Sequence, residues 1–346
     1  MSDVRVAIAG ATGYAGEELI RLLLTHPTVQ LTCLAASAKR ERPVPASELY
    51  PRFARRLDLA IESLDVDRLA RSCDIALLVL PHGMSMDLVP TLLKAGRIVI
   101  DLAGDFRLKD PAIFERWYGK THTQPALLQE AAYGLPELEA RTIREARLIA
   151  NPGCYATAAI LACAPLLRAG LVERDGIVVD AKSGLTGTGR KAEPDLLFAE
   201  MNENLWAYKV NAHQHAPEIE QALAACGADG AVSLCFVPHV VPLNRGIFST
   251  IYLRLSRDVT RQQVEEAYRN GYRQAPFVRL RPEHQWPRIR DVEGTNYCDL
   301  AFLVDGPRRR LIVTAVLDNL VKGAAGQAVQ NLNLRMGWPE TTGLLS

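Results

Sequence analysis

The first 160 residues alternate short apolar runs with stretches of helical period. Val4, Val6 and Ile8 alternate with Arg5 and Ala7, the period of a strand. Leu19, Ile20, Leu22 and Leu23 then recur at the spacing of an amphipathic helix. Residues 29–36 predict a second strand. Residues 75–80 and 98–102 are continuous apolar runs, as expected for strands of a parallel sheet covered on both faces. Residues 147–150 predict a short buried strand and residues 158–162 the apolar start of a helix. Strands alternating with helices predict an α/β arrangement with a parallel sheet for this first part of the chain. Residues 108–146 are polar and turn-rich and predict connecting structure, with Tyr133-Gly134-Leu135-Pro136 as a connector.

Beyond residue 170 the pattern changes. Residues 177–181, 232–236, 247–255, 298–304 and 311–317 predict strands, the last two joined by a hairpin at Asp305-Gly306-Pro307. A helix is expected over 260–273. Strands with hairpin links point to a mixed or antiparallel sheet, distinct from that of the first domain. The length of 346 residues suits two domains, each with its own core.

Composition narrows the function classes. Hydrophobic content of 48% and charged content of 23% are those of an ordinary globular chain. A net charge of +1 gives no reason to expect nucleic acid or a membrane surface as partner. The N-terminus lacks the basic and apolar segments of a signal peptide, and no apolar stretch approaches the roughly 20 residues of a membrane span. The cysteines at 33, 73, 154, 163, 226, 235 and 298 are odd in number, with no CxxC pair. That usage predicts reduced thiols in a cytoplasmic protein.

Candidate chemistry clusters at turns. Gly10, Gly13 and Gly16, with Thr12, Tyr14 and Ala15 between them, follow the first strand and open a helix. Such a turn lets backbone approach a pyrophosphate, which the helix N-terminus holds. The spacing is GxxGxxG, a variant of the dinucleotide fingerprint. After the second strand stand Ser37, Lys39 and Arg40, where an NAD-selective site usually has an acid; a hydroxyl and cations suit the 2′-phosphate of NADP, although a solvated basic turn has the same composition. Pro152 and Gly153 force a turn that puts Cys154 at the start of a helix. A thiol there can fall from about 8.5 to roughly 3.5–7.5 and become a nucleophile, while the alternative is a small buried residue. Arg107, after the 98–102 strand, is either an anion clamp or half of a structural ion pair. Residues 183–191 form a glycine-rich, cationic loop that can nest an anion. His213, His215 and Glu218 stand before and at the start of a helix opened by Pro217. No third ligand is near in sequence, so they read as acid–base groups and no metal is expected.

Several segments together carry a resemblance: GATGYAG at 10–16, DFRL at 105–108, NPGCYAT at 151–157, HQHAPE at 213–218, PHVVPLNRG at 238–246 and DNLVKGAAGQAVQN at 318–331. In this order over nearly the whole chain they resemble the N-acetyl-gamma-glutamyl-phosphate reductases, the arginine-biosynthesis branch of the semialdehyde dehydrogenase superfamily. Ala156 departs from a proline frequent in that family, which touches nothing catalytic. The resemblance implies an α/β fold with a Rossmann dinucleotide-binding domain of residues 1–150 plus about 318–346 and, over about 151–317, an α+β catalytic and dimerisation domain with a mixed sheet, in a homodimer or homotetramer. It implies Cys154 as nucleophile, His215 as acid–base and Glu218 as its orienting carboxylate. By the same likeness Arg107 would hold phosphate and Arg245 the substrate carboxylate, with Ser183 and His213 as further substrate contacts. Asn319 would touch the nicotinamide of NADP. The implied reaction is NADPH-dependent reduction of an acyl phosphate through a cysteine thioester, with siblings acting on aspartyl or carrier-bound aminoadipyl phosphate as the alternative within the superfamily. A non-catalytic nucleotide sensor is the alternative outside it.

Overall fold

The structure, a computed structural model, describes residues 3–37, 39–190, 192–228 and 230–345. Ala38 of the basic turn and Lys191 of the glycine-rich loop lie outside these residues. The chain divides into two compact units, one of Met1–Pro152 with Ala324–Ser346, the other of Gly153–Gly323.

The first unit is built on an eight-stranded sheet. Its strands are β1 Val4–Ala9, β2 Val29–Ala35, β3 Val44–Pro45, β4 Ala60–Glu62, β5 Ile75–Leu78, β6 Ile98–Asp101, β7 Ala132–Tyr133 and β8 Leu148–Ala150. They run in the order β3-β4-β2-β1-β5-β6-β8-β7, parallel apart from the β3–β4 pair. Helices α1 Tyr14–Leu23, α2 Ala46–Leu49, α3 Val66–Ser72 and α4 Ser85–Lys94 lie between the earlier strands in sequence. All four residues of β5 are buried, and Leu78, Leu69, Val89, Leu92 and Val99 share one apolar core. Each such side chain contributes about 1.5–3 kcal/mol through its burial.

The stretch 108–146 is not plain connecting structure. It holds α5 Pro111–Tyr118, α6 Pro125–Glu130 and α7 Pro136–Glu145, each with a proline as its first residue. Proline at that position lacks only an N–H that would have no helical partner, so the apparent turn residues are helix starters. Asp110 caps α5 by accepting the Ala112 N–H at 2.7 Å. Gly326–Arg335 forms the last helix of the chain, and its buried amides explain its place in this unit. Gln327 and Asn331 donate to the Gly134 carbonyl at 2.9 and 2.8 Å. Asn333 meets His26 Nε2 at 2.8 Å. A buried amide left without such partners costs about 1–3 kcal/mol.

The second unit carries a seven-stranded mixed sheet. Its strands are β9 Ile177–Ser183, β10 Trp206–Ala207, β11 Leu234–Val240, β12 Ile247–Arg254, β13 Val278–Leu280, β14 Cys298–Asp305 and β15 Arg310–Leu317. The order is β10-β11-β9-β12-β15-β14-β13. β14 and β15 form the expected hairpin, with Asp305 opposite Arg310. β11 starts later than the pattern suggested and continues through Pro238 and His239, which the sequence places in a connector.

The helices of this unit are α8 Cys154–Arg168, α9 Phe198–Met201, α10 His215–Ala224 and α11 Arg261–Gly271; the last helix of the first unit is then α12. Every residue of α8 from Tyr155 to Leu167 is buried. Pro165 sits inside α8 and has no N–H to give Leu161. The Tyr272 hydroxyl donates to the Leu161 carbonyl at 2.5 Å instead, and the Tyr268 hydroxyl to that of Ala162 at 2.7 Å. The helix that presents Cys154 therefore stays continuous despite its proline.

Candidate active site

In the first unit, the three glycines after β1 do different work. Gly10 has φ +95°, and a Cβ there would stand 1.9 Å from the Val79 carbonyl oxygen. A Cβ on Gly16 would stand 2.3 Å from the Gly10 oxygen. These two let the turn close on the residue after β5 and let the start of α1 close on the turn. A Cβ on Gly13 would meet nothing nearer than 3.6 Å, and Gly13 is the N-cap of α1 with no side-chain cap. The one glycine not fixed by packing thus opens the helix N-terminus to a ligand, the arrangement that suits a pyrophosphate. Thr12 lies in this turn, and Tyr14 and Ala15 are the first residues of α1.

After β2, Ser37 is half-buried and Arg40 is pinned by Ser63, whose hydroxyl accepts the Arg40 N–H at 2.9 Å and donates to its carbonyl at 3.1 Å. Nothing in the local sequence pattern singled out Ser63. The Arg40 Nε is buried and takes no hydrogen-bond partner among the described residues. An anionic group beside Arg40 would satisfy that donor. The residues present therefore fit a phosphorylated dinucleotide.

Arg107 also belongs to the first unit, and it is buried. Its Nε donates to the Asn151 carbonyl and its Nη2 to that of Leu102, each at 2.8 Å. Those carbonyls follow β8 and β6, so the guanidinium ties two strand ends together.

In the second unit, Cys154 is the first residue of α8, as the Pro152-Gly153 turn predicts. It is half-exposed, as is Cys235; the other cysteines are buried. Burial pushes the Cys73 and Cys163 thiols up to about 12, which removes them as nucleophiles. Gly323 is packed on Cys154, since a Cβ there would lie 2.8 Å from that of Cys154.

His215 is the first residue of α10, where the sequence placed it in the preceding loop. A Cβ on Gly153 would stand 2.2 Å from His215 Nε2, so the imidazole fills the space a side chain at 153 would need. Glu218, fully buried one turn later, accepts the Gly153 N–H at 2.8 Å. His213 Nδ1 accepts the His215 N–H at 3.1 Å, which makes Nε2 the protonated nitrogen of a neutral His213. The two imidazoles lie edge to face at 4.5 Å.

Two tyrosines complete this cluster, and sequence spacing revealed neither. Tyr155 donates its hydroxyl to the His239 carbonyl at 3.0 Å, and the Tyr208 hydroxyl approaches that of Tyr155 at 3.4 Å. Burial pushes the Tyr155 phenol well up and that of Tyr208 to about 12; the charge of Cys154 adds to both. Both hydroxyls stay protonated beside the thiol.

A second knot gathers the remaining candidates of this unit. Arg245 Nη1 donates to Asp318 Oδ2 at 3.1 Å. The Asn319 carboxamide is engaged at both ends, accepting the Gly246 N–H at 2.7 Å and donating to Thr186 Oγ1 at 3.0 Å. Ser183 is buried at the end of β9 and donates to the Gly184 carbonyl at 3.0 Å. The glycine-rich loop is thereby braced against the segments that carry Arg245 and Asn319.

Residues 5–146 match the family model for the semialdehyde dehydrogenase NAD binding domain, and residues 154–319 that for the semialdehyde dehydrogenase dimerisation domain. The chain belongs to the semialdehyde dehydrogenase family. Within it, the chain is 49% identical to an N-acetyl-gamma-glutamyl-phosphate reductase of Symbiobacterium thermophilum, over 99% of this chain and 98% of that protein. The enzyme of the same name from Bacillus subtilis is 45% identical, over 99% and 98%. Among solved semialdehyde dehydrogenases, the fold is similar to aspartate semialdehyde dehydrogenase II of Vibrio cholerae, with a TM-score of 0.73 at 19% identity over 97% of this chain and 99% of that one. It is also similar to the Candida albicans aspartate semialdehyde dehydrogenase with NADP, with a TM-score of 0.67 at 16% identity over 96% and 98%. Among the described residues of this semialdehyde dehydrogenase, no helix is long and apolar enough to cross a membrane.

Proposed function

We propose that this chain reduces N-acetyl-gamma-glutamyl phosphate to N-acetyl-glutamate semialdehyde, releasing phosphate, with NADPH as reductant. The observation that carries this reading is the seating of His215 on Gly153, next to a half-exposed Cys154 at a helix start, in a chain 49% identical to a reductase of that name. The Cys154 thiolate attacks the acyl carbon, the carbon–oxygen bond to phosphate breaks, and phosphate leaves with the electron pair. A thioester remains on sulfur, which divides one difficult step into two easier ones. Backbone N–H groups in the first turn of α8 support the oxyanion that develops on the carbonyl. Reduced nicotinamide, when bound, supplies the hydride that brings the acyl carbon to the aldehyde level. The carbon–sulfur bond then breaks, and His215 carries the proton that the collapse exchanges.

The glycine turn at 10–16 with Ser37 and Arg40 would hold the cofactor, and Arg40 with its orphaned Nε supports NADP over NAD. The substrate roles of Arg107, Ser183, His213 and Arg245 and the cofactor contact of Asn319 rest on the family likeness. For Arg107 and Asn319, the observed bonds to protein groups favour bracing. A homodimer or homotetramer is supported by the dimerisation domain the chain contains, and a cytoplasmic location by its cysteines, none in a disulfide among the described residues.

The test is a substrate panel in the oxidative direction. Acetylglutamate, aspartate and aminoadipate semialdehydes are each offered with phosphate and NADP. Preference for the acetylglutamate compound supports the reading. Preference for either of the others assigns the enzyme to a sibling reaction.

A further inference from the structure

The hydrogen bond from Gly153 to Glu218 joins the N-cap of α8 to the first turn of α10. Glu218 is fully buried, and its Oε1 accepts the Gly153 N–H at 2.8 Å. Gly153 is the N-cap of α8, with φ −70° and ψ 149°, and it precedes the nucleophile. His215 and Glu218 are three residues apart on α10 and so share one face of it. One turn of α10 thus grips Gly153 twice: the imidazole fills the place of its missing side chain, and the carboxylate holds its N–H.

We infer that Glu218 is a positioning residue for Cys154, a latch between the N-cap of α8 and the first turn of α10. The inference rests on Cys154 being the nucleophile. The latch fixes the spacing of thiol and imidazole through a bond that passes through neither side chain. It also satisfies a buried carboxylate, which would otherwise be costly, with a peptide N–H at the positive end of a helix. This placement separates two properties of Glu218. Its oxygen as an acceptor holds the turn. Its negative charge, at the helix end that favours the Cys154 thiolate, works against that thiolate. The latch needs the acceptor and does not need the charge.

Glu218→Gln keeps an acceptor oxygen and removes the charge; Glu218→Ala removes both. The measurement is alkylation of Cys154 by iodoacetamide as a function of pH, read on the Cys154 peptide by mass spectrometry, together with kcat and KM. Alkylation needs neither substrate nor cofactor, so a wild-type Cys154 that is inert defeats the nucleophile assignment and the latch with it, whereas a reactive wild-type thiol with the wrong response to Glu218→Gln defeats the latch alone. The latch expects Glu218→Gln to retain the plateau alkylation rate and most of kcat, with the midpoint of the pH profile unchanged or lowered. It expects Glu218→Ala to lose about tenfold or more in kcat, the equivalent of a lost hydrogen bond to a charged group, with KM for the cofactor unchanged. If Glu218 serves instead to hold His215 as an imidazolium beside the thiolate, Glu218→Gln raises the midpoint and loses kcat as fully as Glu218→Ala. That result overturns the latch. Should Glu218→Ala fail to fold, the direction of the Glu218→Gln midpoint decides alone.

Discussion

A Cβ on Gly153 would stand 2.2 Å from Nε2 of His215. Gly153 has φ −70°, which any residue tolerates, so the glycine is required by its neighbour and not by its backbone. Gly153→Ala is expected to destabilise the fold by about 1–3 kcal/mol, the usual range for overpacking, and to abolish most turnover by displacing the imidazole. In the double variant with His215→Ala the stability loss should largely disappear, because the clash is gone. Urea unfolding of the four proteins measures this coupling. Additive losses would show that the ring does not occupy that space.

Arg107 gives two of its donors to backbone carbonyls after β6 and β8. Hydrogen bonds to charged groups are worth about 1.5–3 kcal/mol each, so Arg107→Gln should lower stability by about 2 kcal/mol or more. A variant of unchanged stability whose KM for phosphate alone is raised would return Arg107 to the role of anion clamp.

Much of the site was legible in the sequence because it is local. A proline-glycine turn before an apolar helix locates Cys154 whatever surrounds it, and glycines after a strand locate the dinucleotide turn. What the sequence hid depends on partners far along the chain. Gly323 against Cys154, Ser63 on Arg40 and Tyr208 beside Tyr155 are pairings that no periodicity encodes. The helices of 108–146 were hidden by their own starters, since Pro111, Pro125 and Pro136 read as turn residues until the following helix is seen. The strand run through Pro238 and His239 was masked in the same way, by a proline that the pattern treats as a break.

Arg40 separates the two nicotinamide cofactors if its buried Nε is meant for a phosphate. Arg40→Asp is expected to raise KM for NADPH by about tenfold to a hundredfold, the loss of one charge-assisted contact, with a much smaller effect on NADH. Initial rates with each cofactor check it, and an equal rise for both would remove the assignment.

Asp101, fully buried at the end of β6, titrates unusually. Burial, and then the neighbouring Asp105, pushes its carboxyl up to about 7. The Ser85 hydroxyl donates to Oδ1 at 2.6 Å, the Ala103 N–H donates to the same oxygen, and the charge of Arg107 opposes the rise. Asp105 is itself held by the Gly83 and Ser85 N–H groups. Because the folded carboxyl binds its proton more tightly than the unfolded one, its contribution is complete at low pH and is lost as pH rises through about 7. Asp101→Asn keeps the acceptor and cannot ionise. Its stability relative to wild type should therefore increase between pH 5 and pH 8.5, as measured by urea unfolding. A constant difference across that range would mean that Asp101 is ionised throughout.

The thioester at Cys154 is tested most directly without cofactor. The enzyme is mixed with N-acetyl-gamma-glutamyl phosphate in the absence of NADPH, quenched in acid, and the intact protein and its Cys154 peptide are weighed by mass spectrometry. One acetylglutamyl group on Cys154, with one equivalent of phosphate released, is expected, and Cys154→Ala should show neither the adduct nor turnover while still binding NADPH. Turnover by Cys154→Ala, or acylation at Cys235 in place of Cys154, would contradict the assignment of the nucleophile.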